Sequence, residues 1–106
     1  MEDNSVVDVR AQLVPLDGSE AIEIVKDLTL VGRKKTCDLC LDHKSVSKAH
    51  CVIVKTDGLL LVRDLGSTNG TLVNGQRIRW AALLPEDQLA VAIFRYKVQL
   101  TAKSTE

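Results

Sequence analysis

The sequence predicts an all-β domain built as a two-sheet antiparallel β-sandwich. Apolar and polar residues alternate with a period of two in several short segments, which is typical of strands buried on one face. Turn signals such as Asp57-Gly58 and Asn74-Gly75 separate these segments at short intervals. Residues 77–84 could suggest a helix, but the segment is short and ends at Pro85, so we predict a strand followed by a loop.

The first half of the chain contains the clearest alternation. Polar residues occupy positions 8, 10 and 12, whereas the odd positions of the same segment are apolar: Val7, Val9, Ala11 and Leu13. This pattern predicts a half-buried strand. Residues 17–19, with the sequence Asp-Gly-Ser, then predict a turn. Two further strands are expected, at residues 22–24 and 28–31.

The second half of the chain predicts hairpins. Residues 51–54 and 59–65 flank Asp57-Gly58, a pair that readily adopts the positive φ angles of a tight turn. Asn74-Gly75 gives the same signal between shorter strands, and alternation over residues 96–101 predicts the final strand. We therefore expect an N-terminal extension at residues 1–5, one domain at residues 6–101 and a C-terminal tail at residues 102–106.

Composition narrows the classes of function. The chain has 106 residues, enough for one domain, and its 14 basic residues balance its 14 acidic residues. A neutral chain is a poor candidate for nucleic-acid binding. The charge is uneven, however, because residues 33–50 contain five cations and two anions. A local basic patch on a neutral domain fits a small anionic ligand.

The termini and cysteines suggest a cytoplasmic protein. Met1–Ser5 is acidic and lacks the apolar run of a signal peptide, and no segment is apolar over the length of a membrane span. The chain has three cysteines, an odd number without a secretion signal, which favours free thiols in a reducing compartment.

Two segments interrupt the alternation, residues 32–50 and residues 66–70, and loops held by rigid strands are where binding residues concentrate in a β-sandwich. Arg33 carries a planar fork of donors that matches phosphate oxygens. Ser47 and Lys48 can both donate hydrogen bonds to a phosphate, and the amide of Asn69 can pair with a peptide backbone. Each of these features alone is also consistent with an ordinary solvated turn.

The order of these motifs carries more information than any one of them. Gly32-Arg33 is followed by residues 37–42, then by Ser47-x-x-His50, then by residues 64–71 (Asp-Leu-Gly-Ser-Thr-Asn-Gly-Thr), and then by Asn74-Gly75. This succession resembles the signature of the forkhead-associated (FHA) family and extends over about residues 28–100. The resemblance implies an 11-stranded SMAD/FHA-like sandwich that binds a phosphothreonine peptide across the loops at one end.

The resemblance also implies roles for individual residues. Arg33 and Ser47 match the main phosphate-binding positions, and Lys48 and Thr68 match positions that add a donor or hydroxyl nearby. Asn69 matches the residue that bonds the peptide backbone. Positions that match the architectural part of the signature are Gly32, His50, Asn74 and Gly75. The chain departs from the family pattern at Leu72, where many members have an aromatic, and at residues 85–87, which replace a Gly-Asp turn.

The segment 34–46 leads into Ser47 and is therefore expected to lie beside a bound peptide. Lys34, Lys44 and Ser45 are the side chains expected within reach of the peptide residues that follow the phosphothreonine. Because two of these three are cationic, we expect an acidic residue to be preferred there.

Other functions fit the sequence less well. A zinc site formed by Cys37, Cys40, His50 and Cys51 is disfavoured, since neighbouring residues on a strand point to opposite faces. Residues 70–75 have the spacing of a P-loop but lack its Lys and hydroxyl, and Ser47 has no nucleophile elbow, so we expect neither an enzyme nor a cofactor. Nucleic-acid binding through residues 77–80 is disfavoured by the scarcity of aromatics. The remaining alternative to a monomeric phosphopeptide binder is a phospho-independent scaffold that binds a partner, or a second copy, through a sheet face.

Overall fold

The computed structural model describes residues 7–104 and confirms the all-β sandwich. It contains eleven strands: β1 (Val7–Pro15), β2 (Ile22–Ile24), β3 (Leu28–Gly32), β4 (Leu39–Cys40), β5 (Cys51–Thr56), β6 (Leu59–Asp64), β7 (Thr71–Val73), β8 (Gln76–Arg77), β9 (Trp80–Ala82), β10 (Gln88–Val91) and β11 (Phe94–Ser104). One sheet has the order β2-β1-β11-β10-β7-β8 and the other the order β4-β3-β5-β6-β9. No helix long and apolar enough to cross a membrane occurs in this part of the chain.

The core lies between the two sheets and is almost entirely aliphatic. The six-stranded sheet contributes buried residues such as Leu13, Leu89 and Val98, and the five-stranded sheet contributes Ile53 and Val62. These side chains occupy alternate positions of their strands. In β1 and β11 they alternate with polar residues, so the two-residue period in the sequence predicts their burial, whereas β5 and β6 begin with runs of apolar residues in which the buried positions do not stand out.

Two tight hairpins have the expected geometry. Asp57 and Gly58 have φ angles of 40° and 79° between β5 and β6, and Asn74 and Gly75 have φ angles of 51° and 84° between β7 and β8. Positive φ at both central residues is the requirement of a type I′ turn, whose twist matches that of the flanking strands.

Two details differ from the sequence prediction. Among the strand pairs of residues 7–104, β3 and β4 are parallel, with Val31 opposite Leu39, whereas the others are antiparallel. The chain reaches β4 through a turn in which Cys37 N–H donates to Lys34 O at 3.0 Å. The second difference is that residues 102–104, predicted as tail, continue β11, because they pair with the start of β1. The predicted extension at residues 1–5 and the last two residues lie outside the described part.

The loops that interrupt the alternation meet at one end of the sandwich. Arg33 N–H donates to Ser47 O at 3.0 Å, and Leu65 N–H donates to His50 O at 2.9 Å. The β10–β11 turn lies at the same end, because Ala92 N–H approaches Gly70 O at 3.3 Å. Residues distant in the sequence thus form one continuous surface.

Candidate functional site

Arg33 is the first residue after β3, and the loop that contains Ser47 holds it in place. Its backbone N–H donates to Ser47 O, and its side-chain Nε donates to Val46 O at 3.0 Å. The Nη atoms of the guanidinium make no hydrogen bond or ion pair with any residue that the structure describes. The bonds at its backbone and at Nε therefore fix Arg33, while its two Nη groups remain available as donors.

Gly32 allows the two neighbouring segments to touch. A Cβ atom at this position would lie 2.2 Å from Lys48 O and 2.9 Å from Cys37 Sγ. The first of these neighbours is backbone, so it could move only with the whole loop. A side chain at residue 32 would therefore push Lys48 and Ser47 away from Arg33.

The fully buried imidazole of His50 joins the Ser47 loop to the loop of residues 65–70. Its Nδ1 accepts a hydrogen bond from Ser47 N–H at 3.1 Å, so the ring proton lies on Nε2, which donates to Gly70 O at 2.8 Å. One ring thus positions two loops. It does not border the cavity formed by Arg33 and Ser47.

Asp64, the last residue of β6, organises the loop of residues 65–70. One carboxylate oxygen accepts from the backbone N–H groups of Gly66 and Ser67, both at 3.0 Å. The other accepts from Ser67 Oγ at 2.5 Å and from Thr71 Oγ1 at 2.7 Å. Burial raises the pKa of this carboxyl, but the hydrogen bonds from Ser67, Thr71 and Gly66 outweigh that effect and leave the pKa below its ordinary value.

Arg77 supports the same loop from the opposite side. Its Nη2 donates to Ser67 O at 3.0 Å and to Thr68 O at 3.4 Å. The guanidinium also covers Gly70, where an added Cβ would lie 2.8 Å from Arg77 Nε. Since Gly70 has a φ of +88°, this position suits glycine in both conformation and space.

Side chains connect the two loops directly at the surface. Ser47 Oγ accepts from Thr68 N–H at 3.0 Å, which leaves the Ser47 hydroxyl hydrogen available to a ligand. Asn69 Nδ2 donates to Ser45 O at 2.7 Å. This bond orients the Asn69 amide, whose second N–H and carbonyl oxygen can still pair with an extended peptide.

These residues enclose an open depression of about 400 Å³, which we call the anion pocket. It is lined by Arg33, Lys44, Ser45, Val46, Ser47, Lys48, Ala49, Thr68 and Asn69. Among the described residues, the lining contains three cations and no acidic side chain, and it offers hydroxyl and amide groups within the same rim. Such a surface can bind a dianion by charge and by several hydrogen bonds at once.

The structure brings most of the candidate residues together and leaves a few apart. Lys34 is exposed and lies outside the lining of the anion pocket. Asn74 lies at the β7–β8 turn, where its side chain bonds Asp87 at 3.0 Å and Gln88 N–H at 2.9 Å. Gly75 completes this turn.

Cysteines and histidines do not form a metal-binding set. Within residues 7–104 no group of three or more His, Cys, Asp or Glu side chains is arranged to hold a metal ion. Cys37 is buried and Cys40 is exposed. Burial raises the pKa of the Cys51 thiol to about 12, so this thiol is neutral at physiological pH.

Reasoning from the sequence missed the supporting roles of Asp64 and Arg77. For Asp64 a local signal exists, because an Asp followed two and three residues later by Gly and Ser favours a turn closed by its carboxylate. For Arg77 the sequence contains no signal, since its acceptors lie nine and ten residues away in another loop.

The comparisons of this chain with known proteins agree with one another. The FHA domain profile matches residues 29–91. A protein phosphatase 1 regulatory inhibitor subunit PPP1R8 homolog of Arabidopsis thaliana is 36% identical over 78 residues, which cover 60% of this chain and 21% of the relative. The chain thus spans only about a fifth of that protein's length.

Two solved structures resemble the fold closely. EmbR of Mycobacterium tuberculosis, in complex with a low-affinity phosphopeptide, superposes with a TM-score of 0.83 at 28% identity, over 92% of this chain and 26% of EmbR. An FHA domain from work on phosphothreonine-dependent FHA interactions gives a TM-score of 0.81 at 26% identity, over 87% of this chain and 97% of that domain.

Proposed function

Because the chain belongs to the forkhead-associated domain family, we propose that it is a non-enzymatic module that binds a phosphothreonine-containing segment of a partner protein. In this proposal Arg33 and Ser47 bind the phosphate, with Lys48 and Thr68 beside them. Asn69 pairs with the peptide backbone, and Ser45 and Lys44 contact the residues that follow. The setting would be phosphorylation-dependent association in Ser/Thr kinase signalling in the cytoplasm, with the module acting as a monomer.

The observation that carries this proposal is the arrangement of donors in the anion pocket. Arg33, Ser47 and Lys48 all line one depression, in which the described residues place no carboxylate. The Nη groups of Arg33 and the hydroxyl hydrogen of Ser47, which have no partner among the described residues, are groups that gain most from a phosphate ligand. The two structural relatives described above support a phosphopeptide, and the second of them supports phosphothreonine.

An experiment on one library would test the proposal. A threonine-phosphorylated peptide library and the same library after dephosphorylation should be passed over the immobilised protein, and the enriched sequence then resynthesised with phosphothreonine, phosphoserine and threonine. We expect calorimetry to detect tight binding of the phosphothreonine form, weaker binding of phosphoserine and none of threonine. Equal binding of the phosphorylated and dephosphorylated peptides would contradict the proposal.

A second candidate function is phospho-independent binding through a sheet face, and one feature favours it. Residues that alternate with the buried ones in β3, β5 and β6 face outward from the five-stranded sheet and are mostly apolar: Leu28, Leu30, Val52, Val54, Leu59 and Leu61. Solvated sheet faces usually carry polar residues. This function predicts a partner that remains bound after phosphatase treatment and after substitution of Arg33.

A further inference from the structure

A second depression, separate from the anion pocket, lies on the other side of the loop of residues 65–70. Its volume is about 930 Å³, and its lining includes Arg63, Arg77, Arg79, Trp80 and Ser67. Trp80, the only tryptophan of the chain, is 68% exposed. A tryptophan exposed to this degree among arginines is typical of a contact surface.

The net charge of this depression is positive, because its described lining includes three arginines and one carboxylate. Neither Arg63 nor Arg79 makes a side-chain hydrogen bond or an ion pair within residues 7–104. The one carboxylate in the lining belongs to Asp64, and its oxygens accept four hydrogen bonds from the neighbouring loop and Thr71. The surface is therefore complementary to an acidic ligand.

The backbone next to Trp80 is also available for pairing. Among the strands of residues 7–104, β9 is an edge strand that pairs only with β6. Asp64 N–H donates to Arg79 O, and Leu83 N–H donates to Leu60 O. Asp64 with Arg79 and Leu60 with Leu83 are therefore hydrogen-bonded pairs, and such pairs alternate with non-hydrogen-bonded pairs along the two strands. Trp80 and Ala82 belong to the non-hydrogen-bonded pairs, opposite Arg63 and Leu61. Their N–H and C=O groups consequently point away from β6, toward the open edge.

We propose that the β9 edge is a second binding site, independent of the anion pocket, which takes an extended acidic segment of a partner protein as an added strand. Backbone groups of Trp80 and Ala82 would pair with the segment. Apolar side chains of the segment would then pack on the face of Trp80 and Ala82, and the alternate acidic side chains would face Arg79. A single-stranded nucleic acid is the less favoured ligand, because it cannot pair with a strand edge and usually stacks on several aromatics.

Trp80 makes the test direct, because it is the only indole in the chain. The probe is a capped, unphosphorylated peptide in which Glu and Val alternate, and its control has Lys in place of Glu. We expect the Glu peptide to shift the Trp80 emission saturably and the Lys peptide to leave it unchanged. A phosphothreonine peptide should bind with the same Kd, within about twofold, when the Glu peptide is saturating.

Two variants separate edge pairing from simple charge attraction. Ala82→Pro removes an N–H that β6 does not use, so the sheet is retained while an added strand is blocked, and we expect the emission response to be lost. Arg79→Glu, on the surface, should weaken the response at least about fivefold. Circular dichroism tests whether each variant is folded. If Ala82→Pro does not fold, the emission response of Arg79→Glu alone tests the proposal.

Four results of the peptide experiments would overturn the proposal. They are an unchanged emission with the Glu peptide, an equal response to the Lys peptide, a wild-type response from the folded variants, and displacement of the Glu peptide by the phosphothreonine peptide. A single-stranded oligothymidylate that shifts the emission at lower concentration than the Glu peptide would also overturn it, and would assign the surface to nucleic acid.

Discussion

His50 Nε2 donates to the carbonyl oxygen of Gly70 at 2.8 Å, and this buried bond joins two loops that are 20 residues apart in the sequence. The same ring accepts the backbone N–H of Ser47. The position of the Ser47 hydroxyl relative to Asn69 thus depends on a residue outside the anion pocket. Substitutions at His50 and at the pocket itself should therefore have different consequences.

We expect His50→Ala to lower the free energy of unfolding by about 3 kcal/mol or more. The change leaves the Ser47 N–H and the Gly70 carbonyl without their partner, each at a cost of roughly 1–3 kcal/mol, and it opens a cavity. Urea unfolding followed by circular dichroism measures the loss. His43→Ala is the matched control, because His43 is only half-buried and water can replace its bonds to Ser45. An unchanged unfolding midpoint together with lost phosphopeptide binding would place His50 in contact with the ligand instead.

We expect Arg33→Ala to weaken phosphothreonine-peptide binding at least about thirtyfold while the fold is retained. Removing one member of a charge-assisted pair costs on the order of 2–5 kcal/mol. Arg33→Lys should restore binding only in part, because an ammonium cannot form the bidentate fork. Isothermal calorimetry provides the Kd, and Arg63→Ala, an exposed arginine outside the anion pocket, is the control. Wild-type affinity in Arg33→Ala would show that the phosphate binds elsewhere.

Asp64 should make the stability of the domain sensitive to acid. Its pKa is lower in the folded state than in the unfolded chain, so its contribution is present in full above the unfolded pKa and is lost as the pH falls through the folded pKa. Asp64→Asn should be less stable than the wild type by about 1–3 kcal/mol at pH 7, and the difference should shrink as the pH falls below about 4.

Urea unfolding of both proteins across this pH range tests the prediction. Asp42→Asn serves as the control, because Asp42 is exposed and makes no side-chain hydrogen bond within the described residues. A stability difference between wild type and Asp64→Asn that stays constant with pH would contradict the assignment.

An acidic residue a few positions after the phosphothreonine should be preferred over a basic one. Lys44 lines the anion pocket and can attract it, with a gain of up to about 1 kcal/mol that weakens in high salt. Lys44→Glu should abolish or reverse the preference in a peptide-library screen. Lys34→Glu should change it less, because Lys34 lies outside the pocket lining. Enrichment of Lys or Arg at these positions by the wild type would contradict the electrostatic prediction.

The sequence predicts the parts of this fold that depend on local patterns. Alternation along β1 and β11 identifies the buried faces of these strands, and Asn74-Gly75 identifies its hairpin, because strand burial and turn conformation are properties of adjacent residues. The proximity of Arg33, Ser47 and Asn69 came from the family resemblance rather than from any periodicity.

Features that depend on distant partners could not be predicted in this way. β4 pairs in parallel with β3 after a turn in which Cys37 N–H donates to Lys34 O. The loop that follows β4 returns to β3 through Arg33 N–H, which donates to Ser47 O, and neither of these two residues signals the other in the sequence. Residues 102–104 carry no apolar alternation, yet they continue β11 because β1 is long enough to pair with them. Arg77 supports Ser67 through a backbone oxygen, and any residue at position 67 would have offered that acceptor.

The hydrogen bonds that connect the loops have a kinetic consequence. The bonds from Arg33 to Val46, from Thr68 to Ser47 and from Asn69 to Ser45 are made within the protein and need no ligand atom, so we expect no slow rearrangement of the backbone to precede binding. Diffusion and orientation would then limit the association rate constant, and the three cations of the anion pocket would accelerate the encounter with a dianionic ligand. Added salt should therefore slow association much more than it changes the residence time of the bound peptide.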